Sequence, residues 1–240
     1  MGSRVAVVVL TGAGTSADSG LATFRGAGGT WEGHRVEDVA TPEAWERNPA
    51  LVWRFYQMRR AGLGAVEPNA AHFALARMER ELHAAGHGFT LISQNVDDLH
   101  QRAGSTVLAM HGQLLQLACE RCGTVTVDSE HLDPERFVPC DACGYERLRP
   151  DIVWFGELPK LLDEIEAALA ACTHFVSIGT SGVVYPAAGL LARARERGAL
   201  TFVNSLDQPE NLHPTDRFLP GRAALVMPPA IERWLVEWMK

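Results

Sequence analysis

Six consecutive apolar residues at 5–10 (VAVVVL) run straight into Thr11-Gly12-Ala13-Gly14. This junction constrains the fold more than any other feature. A short, fully apolar run bounded by turn residues marks a strand buried on both faces, the kind found in parallel sheets. Similar runs recur at 89–92, 107–110, 175–178 and 200–203. Stretches of helical character lie at 70–85, 161–171, 187–197 and 230–239. Strands alternating with helices predict an α/β fold, a Rossmann-like parallel sheet covered by helices. Two regions break the rhythm. Residues 37–63 are helical in character but have no strand partner, and residues 118–145 hold most of the cysteines. The chain is read as one domain over 1–240, in which insertions at 32–66 and 114–150 together form a smaller lobe over the sheet.

The 240 residues suffice for one sizeable core. With 47% hydrophobic and 21% charged residues, the chain is neither disordered nor collagen-like. Its net charge is −7 and no block of like charges occurs. No nucleic-acid or membrane partner is therefore expected. The 5–10 run is too short for a signal peptide and is followed by a turn, not a cleavage site. Ala6 stands where myristoylation wants Ser or Thr. No apolar stretch approaches a membrane span in length. A soluble cytoplasmic protein is expected.

Four of the five cysteines fall as Cys119-x2-Cys122 and Cys140-x2-Cys143, with 17 residues between the pairs. This is four-thiolate zinc spacing. Each pair presents two sulfurs to one ion, and two pairs close a tetrahedron. Gly123 and Gly144 follow the second cysteine of each pair, where a tight turn suits a knuckle. Two disulfides are the alternative, but an intracellular chain sits in a reducing compartment. With four protein ligands, the zinc has no open position and is structural. Cys172 lies in an apolar run and is expected to pack in the core.

Gly12-Ala13-Gly14-Thr15-Ser16-Ala17 matches the GxGxxA form of the dinucleotide fingerprint. The glycines permit a tight turn and close approach to a pyrophosphate. An ordinary dehydrogenase continues into a regular helix. Here the chain runs through Asp18-Ser19-Gly20-Leu21-Ala22-Thr23-Phe24-Arg25-Gly26 and then Gly28, Gly29 and Trp31, which reads as a mobile loop over a cofactor. Polar clusters also follow three other strands: residues 93–100 (SQNVDDLH), His111-Gly112 and Gly179-Thr180-Ser181. Ligands of an open parallel sheet sit beyond its carboxyl ends, so the four clusters are expected to share one crevice.

Taken together, these motifs resemble the sirtuins, NAD-dependent protein-lysine deacylases. The resemblance rests on residues 12–26 (GAGTSADSGLATFRG), 93–100, 111–112, both cysteine pairs, 153–157 (VWFGE) and 179–188 (GTSGVVYPAA), in family order. It is nearest to bacterial members with a Tyr-x-x-Arg pair. It implies that Gly12, Ala13, Gly14, Thr15, Phe24, Arg25 and Trp31 line an NAD site, with Ser16 close to the nicotinamide ribose. Gln94, Asn95 and Asp97 would hold that ribose and the nicotinamide amide. Gly179, Thr180, Ser181, Asn204 and Ala223 would hold the adenosine half. Val153, Phe155, Gly156 and Glu157 would form the strand and channel for an acyl-lysine peptide or protein. Ala22 stands where many members have Pro, and Ser93 where many have Thr; neither departure alters a role.

The chemistry implied is attack of the substrate amide oxygen on the ribose carbon as nicotinamide leaves, followed by consumption of one water to yield O-acyl-ADP-ribose and free lysine. The next step needs a base with a pKa near neutrality to activate a ribose hydroxyl, and histidine meets that demand. Among nine histidines, His111 sits between a buried strand and a glycine turn at the crevice. His100 is read as a hydrogen-bonded structural residue. His72, His83, His87 and His174 receive no chemistry.

Tyr56 and Arg59 are spaced i, i+3 on one helix face. A hydroxyl and a guanidinium suit a carboxylate. Spacing alone favours a plain solvated basic face with Arg54 and Arg60. The sirtuin resemblance reverses this, because Tyr-x-x-Arg there accompanies removal of succinyl and malonyl groups. A protein mono-ADP-ribosyltransferase using the same NAD site is the alternative enzyme. A zinc-knuckle module that only binds nucleotide is the non-enzyme alternative. The motifs are silent on target proteins and oligomeric state.

Overall fold

The computed structural model describes residues 4–22, 30, 31 and 33–239, the two residues 30 and 31 through their backbone. Phe24, Arg25 and the Trp31 side chain, and most of the proposed cofactor loop, lie outside the described residues. The chain begins with β1 (Ala6–Thr11), α1 (Ala13–Ser16), a 3-10 turn (Ala17–Ser19), β2 (Thr30–Trp31) and β3 (His34–Arg35). Helices α2 (Val36–Val39), α3 (Pro42–Arg47), α4 (Pro49–Leu63) and α5 (Ala70–Ala84) follow. Next come β4 (Gly88–Ser93), α6 (Leu99–Arg102), β5 (Val107–Ala109), β6 (Gly112–Ala118), β7 (Val125–Val127) and β8 (Arg149–Ile152). The chain closes with α7 (Leu162–Ala171), β9 (His174–Ile178), α8 (Ala187–Glu196), β10 (Leu200–Ser205), β11 (Arg217–Pro220) and α9 (Ala223–Trp238).

Six strands form one parallel sheet in the order β11-β10-β9-β1-β4-β5. Successive residues of β1 serve opposite faces. Val7 and Val9 pack with α5 and α9, while Val8 and Leu10 pack with α7 and α8. This two-sided burial explains why β1 contains no alternation of polar and apolar residues. The chain leaves β1 for β4 on one side and later returns to β9 on the other. The resulting switch point lies between the ends of β1 and β9 and is where a sheet of this kind opens a crevice.

Two elements of the large lobe differ from the sequence reading. Helix α9 starts at Ala223 rather than near 230, although Pro228 and Pro229 lie inside it. Ala223 and Met227 are buried in the core, and that burial carries the helix across residues that lack a donor. The sixth strand, β11, has a mixed RFLP sequence that gives no apolar run. It ends in Pro220 at the sheet edge, where a missing N–H is tolerated.

The small lobe has its own core. Val52, Trp53, Phe55 and Tyr56 of α4 pack with Trp45, Leu114, Leu117, Cys119, Cys140, Leu148 and Trp154. Its helices start cleanly. Thr41 accepts from Ala44 N and Asn48 from Leu51 N, each followed by a proline at the first helical position. The three-stranded antiparallel sheet β7-β6-β8 carries the cysteine turns. Among the described residues, no helix is long and apolar enough to cross a membrane.

Candidate active site

The glycine turns after β1 and β9 interlock. Gly12 N donates to Ile178 O and Gly14 N to Gly179 O, both at 2.9 Å. A Cβ on Gly14 would lie 2.8 Å from Gly179 Cα. Gly179 has φ +64°, and a Cβ there would lie 2.4 Å from Thr15 N. Glycine is therefore required for two loops to touch at the switch point, leaving a backbone-lined cradle. Beyond it α1 is a single turn, then a 3-10 turn closes at Gly20. So short a helix carries little dipole, and the cradle relies on close approach more than on field.

The floor of the crevice is a polar network in which the proton positions follow from the partners. Asn69 N donates to His72 Nδ1 at 3.1 Å, so the ring proton lies on Nε2, which faces Ser16 Oγ at 3.4 Å. Asn95 Nδ2 donates to Gly12 O and to Ser16 Oγ, each at 3.1 Å. Both lone pairs of Ser16 are then occupied, and its own proton goes to Asp97. Burial raises the Asp97 pKa; the Leu99 N–H, the Ser16 hydroxyl and the charge of Arg59 oppose that rise. One layer deeper, His100 Nε2 meets Thr11 Oγ1 at 3.1 Å, and Thr11 donates to Ser93 Oγ at 3.1 Å. The rings of His72 and His100 pack edge to face at 4.6 Å. Burial holds them neutral, with pKa values pushed down to about 4 and about 3.

His111 follows β5, and its Nδ1 lies 2.9 Å from Gln94 O. A carbonyl only accepts, so Nδ1 carries the proton and Nε2 keeps a bare lone pair. Burial lowers the His111 pKa, and the Gln94 carbonyl partly opposes this. The ring is therefore neutral at pH 7 and suited to accept a proton. Gly112 has φ +79°, and a Cβ there would strike Asp151 O. That glycine lets β8 close against β6 directly beside His111.

Residues 153–157 lie past the end of β8 and form an extended turn, not the expected strand. Val153 N donates to His111 O and Phe155 N to Ala40 O. Glu157 accepts from both Arg149 nitrogens, at 2.7 and 3.0 Å, and from Trp154 N at 2.8 Å. These bonds brace the segment. Gly156, at φ +94°, makes the turn, and Phe155 stays exposed. Trp154 Nε1 donates to Tyr56 Oη at 3.0 Å. Tyr56 is fully buried, which raises its pKa and keeps the hydroxyl proton in place. The Arg59 guanidinium lies 5.6 Å from the Phe55 ring centre, and its charge acts on both Tyr56 and Asp97. The pair is not a solvated face.

On the other side of the crevice, Gly179 N bonds Asn204 O, and Thr180 Oγ1 meets Ser177 Oγ at 3.2 Å; Ser181 is exposed. Both Asn204 amide donors are engaged by Leu219 O and Gly221 O, while its buried Oδ1 has no partner among the described residues. The Ala223 side chain packs in the core.

The four cysteine sulfurs lie within 4.8 Å of one another. Cys119–Cys143 and Cys122–Cys140 are separated by 3.6 and 3.7 Å. Sulfurs about 2.3 Å from a tetrahedral zinc stand about 3.8 Å apart, whereas a disulfide requires about 2.05 Å. The donor set thus fits one zinc. Gly123 N and Gly144 N bond Cys119 O and Cys140 O, both glycines at positive φ, closing the two knuckles.

A sequence model described as the Sir2 family matches residues 12–186. The chain belongs to the Sir2 family. An NAD-dependent protein deacylase of Caulobacter vibrioides is 48% identical over 96% of this chain and 97% of its own. Two solved structures are similar. A mutant Sir2 homologue in complex with ADP ribose has a TM-score of 0.87 and 37% identity over 96% of this chain and 92% of its own. A Sir2 homolog–NAD complex has a TM-score of 0.85 and 36% identity over 98% and 90%.

Several sirtuin residues escaped the sequence reading. His72 received no role, yet it orients Ser16. Trp154 and Arg149 support Tyr56 and residues 153–157. The one local signal was Asn69 three residues ahead of His72, a helix-capping spacing that places the imidazole in the first turn of α5.

Proposed function

We propose that this sirtuin is an NAD-dependent protein-lysine deacylase that removes acetyl groups and the acidic succinyl and malonyl groups. The observation that carries the catalytic reading is His111, neutral and with Nε2 bare, beside the Asn95–Asp97 floor. Gly12, Ala13, Gly14 and Thr15 form the cradle for NAD, together with Phe24, Arg25 and Trp31 further along the chain. Gly179, Thr180, Ser181, Asn204 and Ala223 take the adenosine half, Ala223 through its backbone. Bound NAD supplies the electrophilic ribose carbon and the nicotinamide leaving group. Gln94, Asn95, Asp97 and Ser16 orient the ribose and keep water out. His111 Nε2 then removes a ribose hydroxyl proton.

Val153, Phe155 and Gly156 border the peptide channel, and Glu157 holds its shape. Tyr56 and Arg59 face the distal end of the acyl chain. Because Tyr56 Oη accepts from Trp154, its own proton remains for a carboxylate, and Arg59 supplies the charge. The zinc is structural, since four thiolates leave no open position. Its thiolates suit a reducing compartment, and the cytoplasm is the expected site of action. The partners are acyl-lysine proteins or peptides. A mono-ADP-ribosyltransferase would share the NAD site, but the deacylase relatives and the Tyr56–Arg59 pair favour acyl removal.

The test is mass spectrometry of nicotinamide and O-acyl-ADP-ribose released from matched acetyl- and succinyl-lysine peptides. Arg59→Met and Tyr56→Phe should lower the succinyl-to-acetyl rate ratio about ten- to a hundredfold, the worth of one hydrogen bond to a charged group. Equal losses on both peptides would sink the acidic-acyl reading.

A further inference from the structure

Helix α4 carries a second stripe besides the one that holds Tyr56 and Arg59. Trp53, Gln57 and Arg60 are spaced i, i+4 and i+7, and all three reach residues 128–136 of the zinc module. Trp53 Nε1 donates to Asp133 O at 3.2 Å and Arg136 O at 3.0 Å. Gln57 Nε2 donates to His131 O at 2.8 Å. Arg60 donates to Asp128 O, pairs with the Asp128 carboxylate at 3.4 Å, and bonds Gln57 Oε1 at 2.6 Å. The Arg60 side chain is wholly buried and that of Asp128 nearly so. Asp128 Oδ1 also accepts from Glu130 N and His131 N, both at 3.0 Å, which shapes the segment that receives the helix.

A buried ion pair is seldom a net source of stability compared with apolar packing. What it supplies is register. An α-helix turns about 100° per residue, so a slip of one residue would carry Tyr56 and Arg59 off the acyl channel. Apolar contacts of α4 with Leu114 and Leu117 are non-directional. Donors aimed at fixed carbonyls permit one rotation only. We propose that Gln57 and Arg60 are positioning residues for acyl selectivity, clamping α4 on the zinc module so that Tyr56 and Arg59 meet a distal carboxylate. The proposal rests on the acidic-acyl reading above.

The experiment measures kcat and KM on matched succinyl- and acetyl-lysine peptides, with zinc content and circular dichroism, for Gln57→Met, Arg60→Met, Arg60→Lys and Arg59→Met. Gln57→Met and Arg60→Met should raise KM for the succinyl peptide about tenfold, as for a misaligned charged hydrogen bond, and leave KM for the acetyl peptide in place. Arg60→Lys should recover part of the loss, because it keeps the charge beside Asp128. Equal KM rises on both peptides, or none on either, overturn the clamp. If Arg60→Met fails to fold, Gln57→Met decides alone, since it leaves the ion pair intact. If Arg59→Met leaves the succinyl-to-acetyl ratio unchanged, the acidic-acyl reading falls and the clamp with it. If Arg59→Met lowers that ratio while Gln57→Met does not, the clamp falls alone.

Discussion

At the carboxyl ends of β1 and β4, order comes from main chain and short side chains. Gly14 bonds Gly179, Asn95 bonds Gly12 and Ser16, and His111 bonds the Gln94 carbonyl. In the small lobe, order comes from long side chains and a metal set. Arg60 and Gln57 reach across to another segment, Arg149 braces Glu157, and four thiolates close the module. The difference matches the two tasks. NAD chemistry is common to every acyl substrate and needs one geometry, whereas the acyl selectivity proposed for Tyr56 and Arg59 would reside in side chains that can change without disturbing His111.

Removing zinc should have the largest effect. Cys119 and Cys140 are buried in the core that α4 shares. Structural zinc contributes about 10–16 kcal/mol in small modules. Chelation, or Cys140→Ala, should melt the small lobe and abolish removal of every acyl group, while the large sheet keeps its circular dichroism. Purified protein should contain one zinc per chain by metal analysis. An active zinc-free enzyme would break the distinction between the lobes.

Next comes the base. His111→Ala should lower turnover about 10²–10⁴-fold on acetyl and succinyl peptides alike, the usual contribution of a positioned general base. NAD binding, followed by calorimetry, should survive. This uniform loss contrasts with the acyl-specific loss expected for Arg59→Met. Near-normal turnover would place the base elsewhere.

The smallest effect concerns the floor of the large lobe. His72 and His100 have folded pKa values below the ordinary 6.5, so the folded state disfavours their protonation. The stability tied to their neutral forms is complete above pH 6.5 and is lost as pH falls toward the folded values. For His72 the loss is on the order of 3 kcal/mol by pH 4. Urea unfolding between pH 7 and pH 5 should already show the decline, before most carboxylates titrate. A flat profile across that window would mean that the rings are charged in the folded state or solvated.

Much of this large lobe was legible in the sequence. The run at 5–10, the glycine turn, the 93–100 cluster and His111-Gly112 are each contiguous, and contiguous residues at strand ends reach the crevice wherever the helices lie. For residues 153–157 the sirtuin resemblance implied a strand; the chain instead turns at Gly156, with Glu157 bonding back to Arg149 and Trp154. Helix α9 was truncated in the reading because propensity penalises two prolines and takes no account of the burial of Met227.

By itself, then, the sequence determined the parallel sheet and the four-thiolate set, since each is written in local pattern or fixed spacing. Only the tertiary structure decided that His72 touches Ser16 across 56 positions and that His100 touches Thr11 across 89. Packing alone also put Trp154 on the Tyr56 hydroxyl and Arg60 inside the zinc module. Such contacts depend on how whole elements rotate against one another, and that rotation is set by the summed burial of two cores, which no single stretch of chain contains.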